Sequence, residues 1–264
     1  MKVTTDGCLF GAWVSSQESL VGSHESGKSH ESIVFSRESG SNEQQARREQ
    51  RVASSEQRAA HNPKLLDIGC GTGLLSLMIA QKNSHLHIDA VEIDEAAAQQ
   101  ATENSAASPW KERVNVIHSD IKNYYPANEG KYDFVVCNPP FYENELSSPD
   151  AKKNKAHHDG SLLLEETVQA IRHSLKPGGR FYLLLPAKRI MDIQTLLQNA
   201  GLAITETVTV KQTPSHSFFR VMITGIAQNE NPVAVHSSEL TIKDSKGNYT
   251  PGFTALLKEY YLYL

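Results

Sequence analysis

From Pro63 onward, apolar runs of five or six residues alternate with longer stretches in which apolar positions recur at helical spacing. Lys64-Leu65-Leu66-Asp67-Ile68 predicts a buried strand, followed by a glycine-rich turn and a helix over 72–81. Strands follow at 86–91, 114–118 and 132–137, with a helix over 95–106 between the first two of them. The strand at 132–137 stops at Asn138-Pro139-Pro140, because proline cannot continue a ladder. A helix over 162–175 ends at Lys176-Pro177-Gly178-Gly179, strong turn chemistry. A fifth strand is predicted at 181–185, a helix at 190–200 closed by Gly201, and a terminal pair of strands at 203–210 and 220–226. This alternation predicts an α/β fold: a Rossmann-like, doubly wound, mostly parallel seven-stranded sheet with an antiparallel edge strand. Ligands of such sheets sit at the carboxyl ends of the strands, near the topological switch point.

The pattern fails before Pro63. Residues 15–60 are rich in Ser, Glu, Gln and Arg, and repeat themselves as Ser23-His24-Glu25-Ser26, Ser29-His30-Glu31-Ser32 and Ser36-Arg37-Glu38-Ser39. Such a stretch cannot bury enough apolar surface to offset its ordering entropy. It is expected to be a disordered insertion over 15–62, between an N-terminal segment (1–14) and the main domain (63–264); a regulatory or RNA-contacting arm is the other reading. It also accounts for a mean hydropathy of −0.42 in a chain long enough for a full α/β core. The net charge of −4 excludes a polycation, so any nucleic-acid contact must come from local clusters. Cys8, Cys70 and Cys137 form no CxxC pair, which fits a reducing compartment. No apolar run approaches the roughly 18 residues of a bilayer span, and the N-terminus lacks a signal peptide's apolar core. A cytoplasmic protein with no membrane partner is expected.

Two constellations carry candidate chemistry. Asp67-Ile68-Gly69-Cys70-Gly71-Thr72-Gly73 lies between a strand and a helix, where glycines permit a tight turn and the helix start offers free N–H groups. A second acid, Glu92, ends strand two, where it can accept both hydroxyls of a ribose, and a third, Asp120, follows strand three before Ile121. A nicotinamide-binding domain shares the strand-two acid but favours GxGxxG. Asp-x-Gly-x-Gly-x-Gly instead resembles the class I S-adenosylmethionine methyltransferases. That resemblance implies that Asp67, Gly69, Gly71, Gly73, Glu92 and Asn138 bind the cofactor, with Asp120 and Ile121 at its adenine.

The second constellation is Asn138-Pro139-Pro140-Phe141 at the end of strand four. An amine on an aromatic ring or acyl group is a poor nucleophile because its lone pair is delocalised. The Asn138 side-chain oxygen and the Pro139 carbonyl can each accept one of its N–H bonds, aligning the nitrogen for methyl transfer. Pro140 stiffens the loop and Phe141 can stack on a planar substrate. A Pro-Pro turn that merely caps a strand is the bland alternative. The 11 histidines show no ligand spacing, and His85, His87 and His118 suit packing or surface roles, so no metal is expected. Cys70 and Cys137 lack a paired base for nucleophilic catalysis. Lys152, Lys153, Lys155, His157 and His158 form either a solvated face or a contact to substrate phosphate.

With these motifs in place, the sequence resembles the tRNA1(Val) (adenine(37)-N6)-methyltransferase family. The likeness also rests on Met1-Lys2-Val3-Thr4-Thr5-Asp6-Gly7-Cys8-Leu9-Phe10-Gly11-Ala12-Trp13, on Ala156-His157-His158-Asp159-Gly160-Ser161-Leu162, and on the C-terminal stretch from Leu240-Thr241-Ile242 to Tyr260-Tyr261-Leu262. Three features depart from it: relatives carry residues ahead of Met1, their connection to the glycine loop is short, and they usually have Arg where His157 stands. The resemblance implies that Thr5, Asp6 and Gly7 help close the cofactor site, and that a methyl passes from S-adenosylmethionine to the exocyclic amine of an adenine in a tRNA anticodon loop. Such bases unstack easily into a pocket. A monomer is expected. Asn-Pro-Pro chemistry also serves protein-glutamine methyltransferases acting on release factors and rRNA guanine-N2 methyltransferases. The former normally add an N-terminal helical domain and the latter a duplicated domain. A non-catalytic cofactor-binding module would be expected to alter Asn-Pro-Pro, which is intact here.

Overall fold

A computed structural model describes residues 4–17, Leu20, 62–139, 164–227 and 234–262. The main domain begins with β1 (Lys64–Ile68), α2 (Leu74–Lys82), β2 (His87–Glu92), α3 (Glu95–Ala106) and β3 (Val114–His118). The short α4 (Ile121–Tyr124) leads to β4 (Tyr132–Cys137), the helix α5 (164–174) and β5 (Leu175–Pro186). Then come α6 (Ile190–Asn199), β6 (Leu202–Lys211), β7 (Phe218–Ala227), β8 (His236–Thr241) and α7 (Pro251–Leu257), while α1 (Thr5–Ser15) precedes everything. The strands make one sheet in the order β3-β2-β1-β4-β5-β7-β6-β8. The chain winds outward from β1 to β3, then returns to β4 on the other side of β1, so the switch point falls between β1 and β4.

Alternate residues of the strands feed two cores. Leu65, Ile88, Phe134, Val136 and Tyr182 pack with α1, α2 and α7 on one face. Leu66, Val91, Val135, Phe181 and Leu183 pack with α5 and α6 on the other. Burial on both faces explains why these strands appear as unbroken apolar runs. The expected mostly parallel sheet is present with two refinements. Among the described residues it has eight strands, because β8 adds to β6 in parallel. The antiparallel strand is β7, inside that half of the sheet between β5 and β6. The predicted turn at 176–179 becomes a looped-out segment within β5, since Tyr132 pairs with Leu175 but Phe134 with Arg180.

The N-terminal segment is an integral part of the core. Helix α1 is buried from Gly7 to Ser15, and a Cβ on Gly11 would lie 2.7 Å from Met78 Sδ, so α1 sits very close to α2. Ser15, expected to open the polar stretch, donates to the carbonyls of Gly11 (2.7 Å) and Met78 (3.3 Å). Leu20 is buried in the same core. Of the expected insertion, residues 18, 19 and 21–61 lie outside the described residues.

Candidate active site

The switch point sets the ends of β1 and β4 side by side, with Ile68 paired to Cys137. Leaving β1, the chain turns through Gly69, Gly71 and Gly73 at φ of 70°, 58° and 84°, a region that side-chain-bearing residues rarely enter. The turn is fastened to the end of β2. Gly69 and Cys70 donate to the Val91 carbonyl at 2.9 and 3.1 Å, and Gly71 donates to Glu92 Oε2 at 2.8 Å. Glu92 Oε1 accepts the Asp94 N–H at 2.9 Å. A Cβ on Gly69 would meet nothing within 4 Å, so the loop borders open space.

Beneath the loop, Asp67 is fully buried. Its Oδ2 accepts from Ser76 Oγ at 2.7 Å, while Oδ1 has no partner among the described residues. Burial raises the carboxyl to about 7; the Ser76 hydrogen bonds oppose this and the Glu92 charge adds to it. Across the switch point, Asn138 leaves β4 with its Oδ1 likewise buried and, among the described residues, unpartnered. A Cβ on Gly7 would stand 3.9 Å from Asn138 Nδ2 and 4.0 Å from Leu74 Cδ2, so the start of α1 meets both Asn138 and the start of α2. Thr4 caps α1 by accepting from Gly7 N–H at 3.3 Å. Asp6 accepts the same N–H at 3.1 Å and the Arg220 Nε–H at 2.7 Å. Burial alone would raise the Asp6 carboxyl, but hydrogen bonds from Thr4 and Arg220 and the guanidinium charge hold it below the usual range.

The model of the methyltransferase small domain family matches residues 54–213. The chain is 33% identical over 263 residues to the tRNA1(Val) (adenine(37)-N6)-methyltransferase of Dyadobacter fermentans, covering 99% of this chain and 91% of that one. To the protein of the same name from Bacteroides thetaiotaomicron it is 33% identical, covering 100% and 92%. The chain belongs to this methyltransferase family. A predicted O-methyltransferase from Agrobacterium tumefaciens shares the fold alone, with a TM-score of 0.58 at 16% identity over 75% of this chain and 89% of that one.

The cofactor implied for the family is S-adenosylmethionine, and the donor and acceptor set fits it. Asp67 Oδ1, a buried acceptor without a donor, suits an ammonium group. Each Glu92 oxygen keeps a lone pair for a ribose hydroxyl beyond the backbone N–H it holds. Asp120 caps α4, accepting Lys122 N–H at 2.9 Å, and Ile121 is half-buried beside it. Three residues beside these groups are not marked by the sequence motifs. Ile93 is 63% exposed directly after Glu92, an apolar surface suited to a flat base; its position after the acid was the available signal. Ser76, a polar residue inside the apolar run Leu74-Leu75-Ser76-Leu77-Met78, was a second. Arg220 gave none, since only the fold brings it to Asp6.

Burial, with the charges of Asp67 and Glu92, pushes the Cys70 thiol up; burial and the Asp67 charge do the same for Cys137. Neither is a ready nucleophile. Among the described residues no group of three His, Cys, Asp or Glu side chains could hold a metal. Pro139 is buried next to Asn138. Pro140, Phe141, Lys152, Lys153, Lys155, His157 and His158 lie outside the described residues.

Proposed function

We propose that this protein transfers a methyl group from S-adenosylmethionine to the N6 amine of adenine 37, beside the anticodon of tRNA1(Val). The observation that carries the reading is Asn138 Oδ1, a buried acceptor with no donor among the described residues, at the switch point and within reach of the start of α1. An unpaired buried carbonyl costs roughly 1–3 kcal/mol, and an incoming N–H recovers it. An adenine amine offers two such hydrogens. Asn138 Oδ1 takes one and the Pro139 carbonyl, next in the chain, takes the other. This fixes the nitrogen and favours localisation of its lone pair as the new C–N bond forms.

The bound cofactor supplies an electrophilic methyl carbon. Asp67, held by Ser76, receives its ammonium end, Glu92 its ribose, and Asp120, Ile121 and Ile93 border its base. The surplus amine proton passes to water after transfer, so the chain need not supply a base. Phe141 stacks on the extruded adenine, and the lysines after it approach backbone phosphate. The names of the relatives favour adenine over the glutamine amide or guanine amine that the same acceptors could hold. A tRNA substrate puts the reaction in the cytoplasm, and among the described residues no helix is long and apolar enough to cross a membrane.

The test is transfer of tritiated methyl to bulk tRNA, rRNA and protein from a strain lacking the enzyme, followed by nucleoside analysis. Label recovered as N6-methyladenosine in tRNA is expected. Methylated guanosine in rRNA, or label confined to protein, overturns the reading.

A further inference from the structure

The edge of the sheet that holds Asn138 continues past it into cations paired with aromatic rings. Because β5, β6 and β8 run parallel to β4 and β7 runs against them, the last residues of β6 and β8 and the first of β7 share the end at which β4 delivers Asn138. Lys211, the last residue of β6, holds its Nζ 4.2 Å from the ring centroid of Phe218, the first residue of β7, which is 36% exposed. Past the end of β8, Lys243 holds its Nζ 5.1 Å from the ring of Tyr249, which is 42% exposed. The two pairs are tied together by backbone: Ile242 N–H donates to the Lys211 carbonyl at 2.9 Å and Lys243 N–H to the Gln212 carbonyl at 3.0 Å. Tyr249 is held flat against Phe253, with centroids 4.7 Å apart and ring planes 12° apart.

The charge of this edge opposes that of the chain. Segments 187–192, 211–218 and 236–249 carry five Lys or Arg against three carboxylates, in a chain of net charge −4. Of the three, Asp244 is occupied within its own turn, accepting from Lys246 N–H at 2.8 Å and Asn248 N–H at 2.9 Å. Asp192 faces Arg189 at 3.1 Å, and Glu239 lies 3.4 Å from Lys211. Exposed ion pairs of this kind are weak and give way to a more highly charged ligand. Four interstrand steps of about 4.8 Å separate the end of β4 from the end of β8, so the edge extends roughly 19 Å from Asn138.

Cations that neutralise phosphate, interleaved with exposed rings that stack on unpaired bases, are the recognition chemistry of single-stranded nucleic acid. We infer that Lys211 with Phe218 and Lys243 with Tyr249 form a docking strip for the single-stranded RNA flanking the target base. The inference rests on the tRNA reading above and extends it. Phosphates track the lysines, and bases of the open loop stack on Phe218 and Tyr249, while the target base enters the site at Asn138.

The experiment compares wild type with Lys211→Gln/Lys243→Gln and Phe218→Ala/Tyr249→Ala, using fluorescently labelled, unmodified tRNA transcript and separately S-adenosylmethionine calorimetry. Each double variant is expected to bind tRNA about tenfold or more weakly. The lysine variant should also lose about 0.7 per missing phosphate contact from the slope of log affinity against log salt. Cofactor affinity should stay within twofold. If the ring variant fails to fold, the lysine variant still decides, because it leaves the Tyr249–Phe253 stack untouched. Unchanged tRNA affinity and salt slope in variants of an enzyme that methylates tRNA overturns the strip and leaves the proposed function standing. Wild type that neither binds nor methylates tRNA overturns both.

Discussion

Asp67 and Glu92 sit under one glycine turn, yet the protein treats the two carboxylates differently. Glu92 spends both oxygens on backbone N–H groups, of Gly71 in the loop and of Asp94 just past β2, whereas Asp67 accepts from the Ser76 hydroxyl on one oxygen and, among the described residues, has no donor on the other, in a fully buried place. With its folded carboxyl raised to about 7, Asp67 keeps a proton that the unfolded chain releases near pH 4. The folded state thus binds more protons than the unfolded one between about pH 4 and 7, and stability of the cofactor-free protein falls as pH rises through that window. Urea unfolding at several pH values should show the decline, on the order of a few kcal/mol, and Asp67→Asn should flatten it; an equal slope in the variant contradicts the assignment. Glu92→Ala removes both the proposed ribose acceptor and the acceptor for the Gly71 and Asp94 N–H groups. Calorimetry should find S-adenosylmethionine binding weaker by roughly 1–3 kcal/mol or more, with Glu92→Gln intermediate because it keeps one oxygen acceptor.

Helix α1 is the element on which the site depends most and the one the apolar pattern concealed. With one face packed on α2 and the other covered by α7, it is apolar nearly all round and lacks the amphipathic period that marks a surface helix. Its start is fixed by the Asp6–Arg220 pair, whose side chains are largely shielded from solvent. Replacing Arg220 with Gln should cost about 1–3 kcal/mol and weaken cofactor binding, because Gly7 would no longer be held at Asn138. Thermal unfolding and calorimetry on one preparation check both effects; lowered stability with unaltered cofactor affinity would confine Arg220 to a structural role. Packing at the other end of α1 allows a second check. Gly11→Leu places a branched side chain where even a Cβ would meet Met78 Sδ at 2.7 Å, and overpacking of this kind typically costs about 1–3 kcal/mol. A Tm equal to wild type would show that α1 does not dock on α2 as described.

Across the whole molecule, what was legible in sequence was what repeats locally. The strands β1 to β7 follow their apolar runs, and the glycine loop and Asn138 fall at strand ends, because a parallel sheet needs apolar strands and its ligand loops need glycine or proline. Illegible were elements specified by remote partners: α1, the polar edge strand β8 with its single large apolar residue Leu240, and α7, which closes over α1. Arg220 reaches Asp6 from 214 positions away, a contact no local spacing records. Asn138 is the residue that joins the sheet topology to the proposed chemistry. The most direct measurement is single-turnover methyl transfer to tRNA by wild type and Asn138→Ala, with cofactor affinity and folding verified for both and the product identified by nucleoside mass spectrometry. Wild type should yield N6-methyladenosine at position 37, and Asn138→Ala should bind S-adenosylmethionine nearly as well while turning over about 10²-fold more slowly or worse, since the lost contact matters most as the transition state forms. A folded Asn138→Ala enzyme with near-normal turnover would contradict the account.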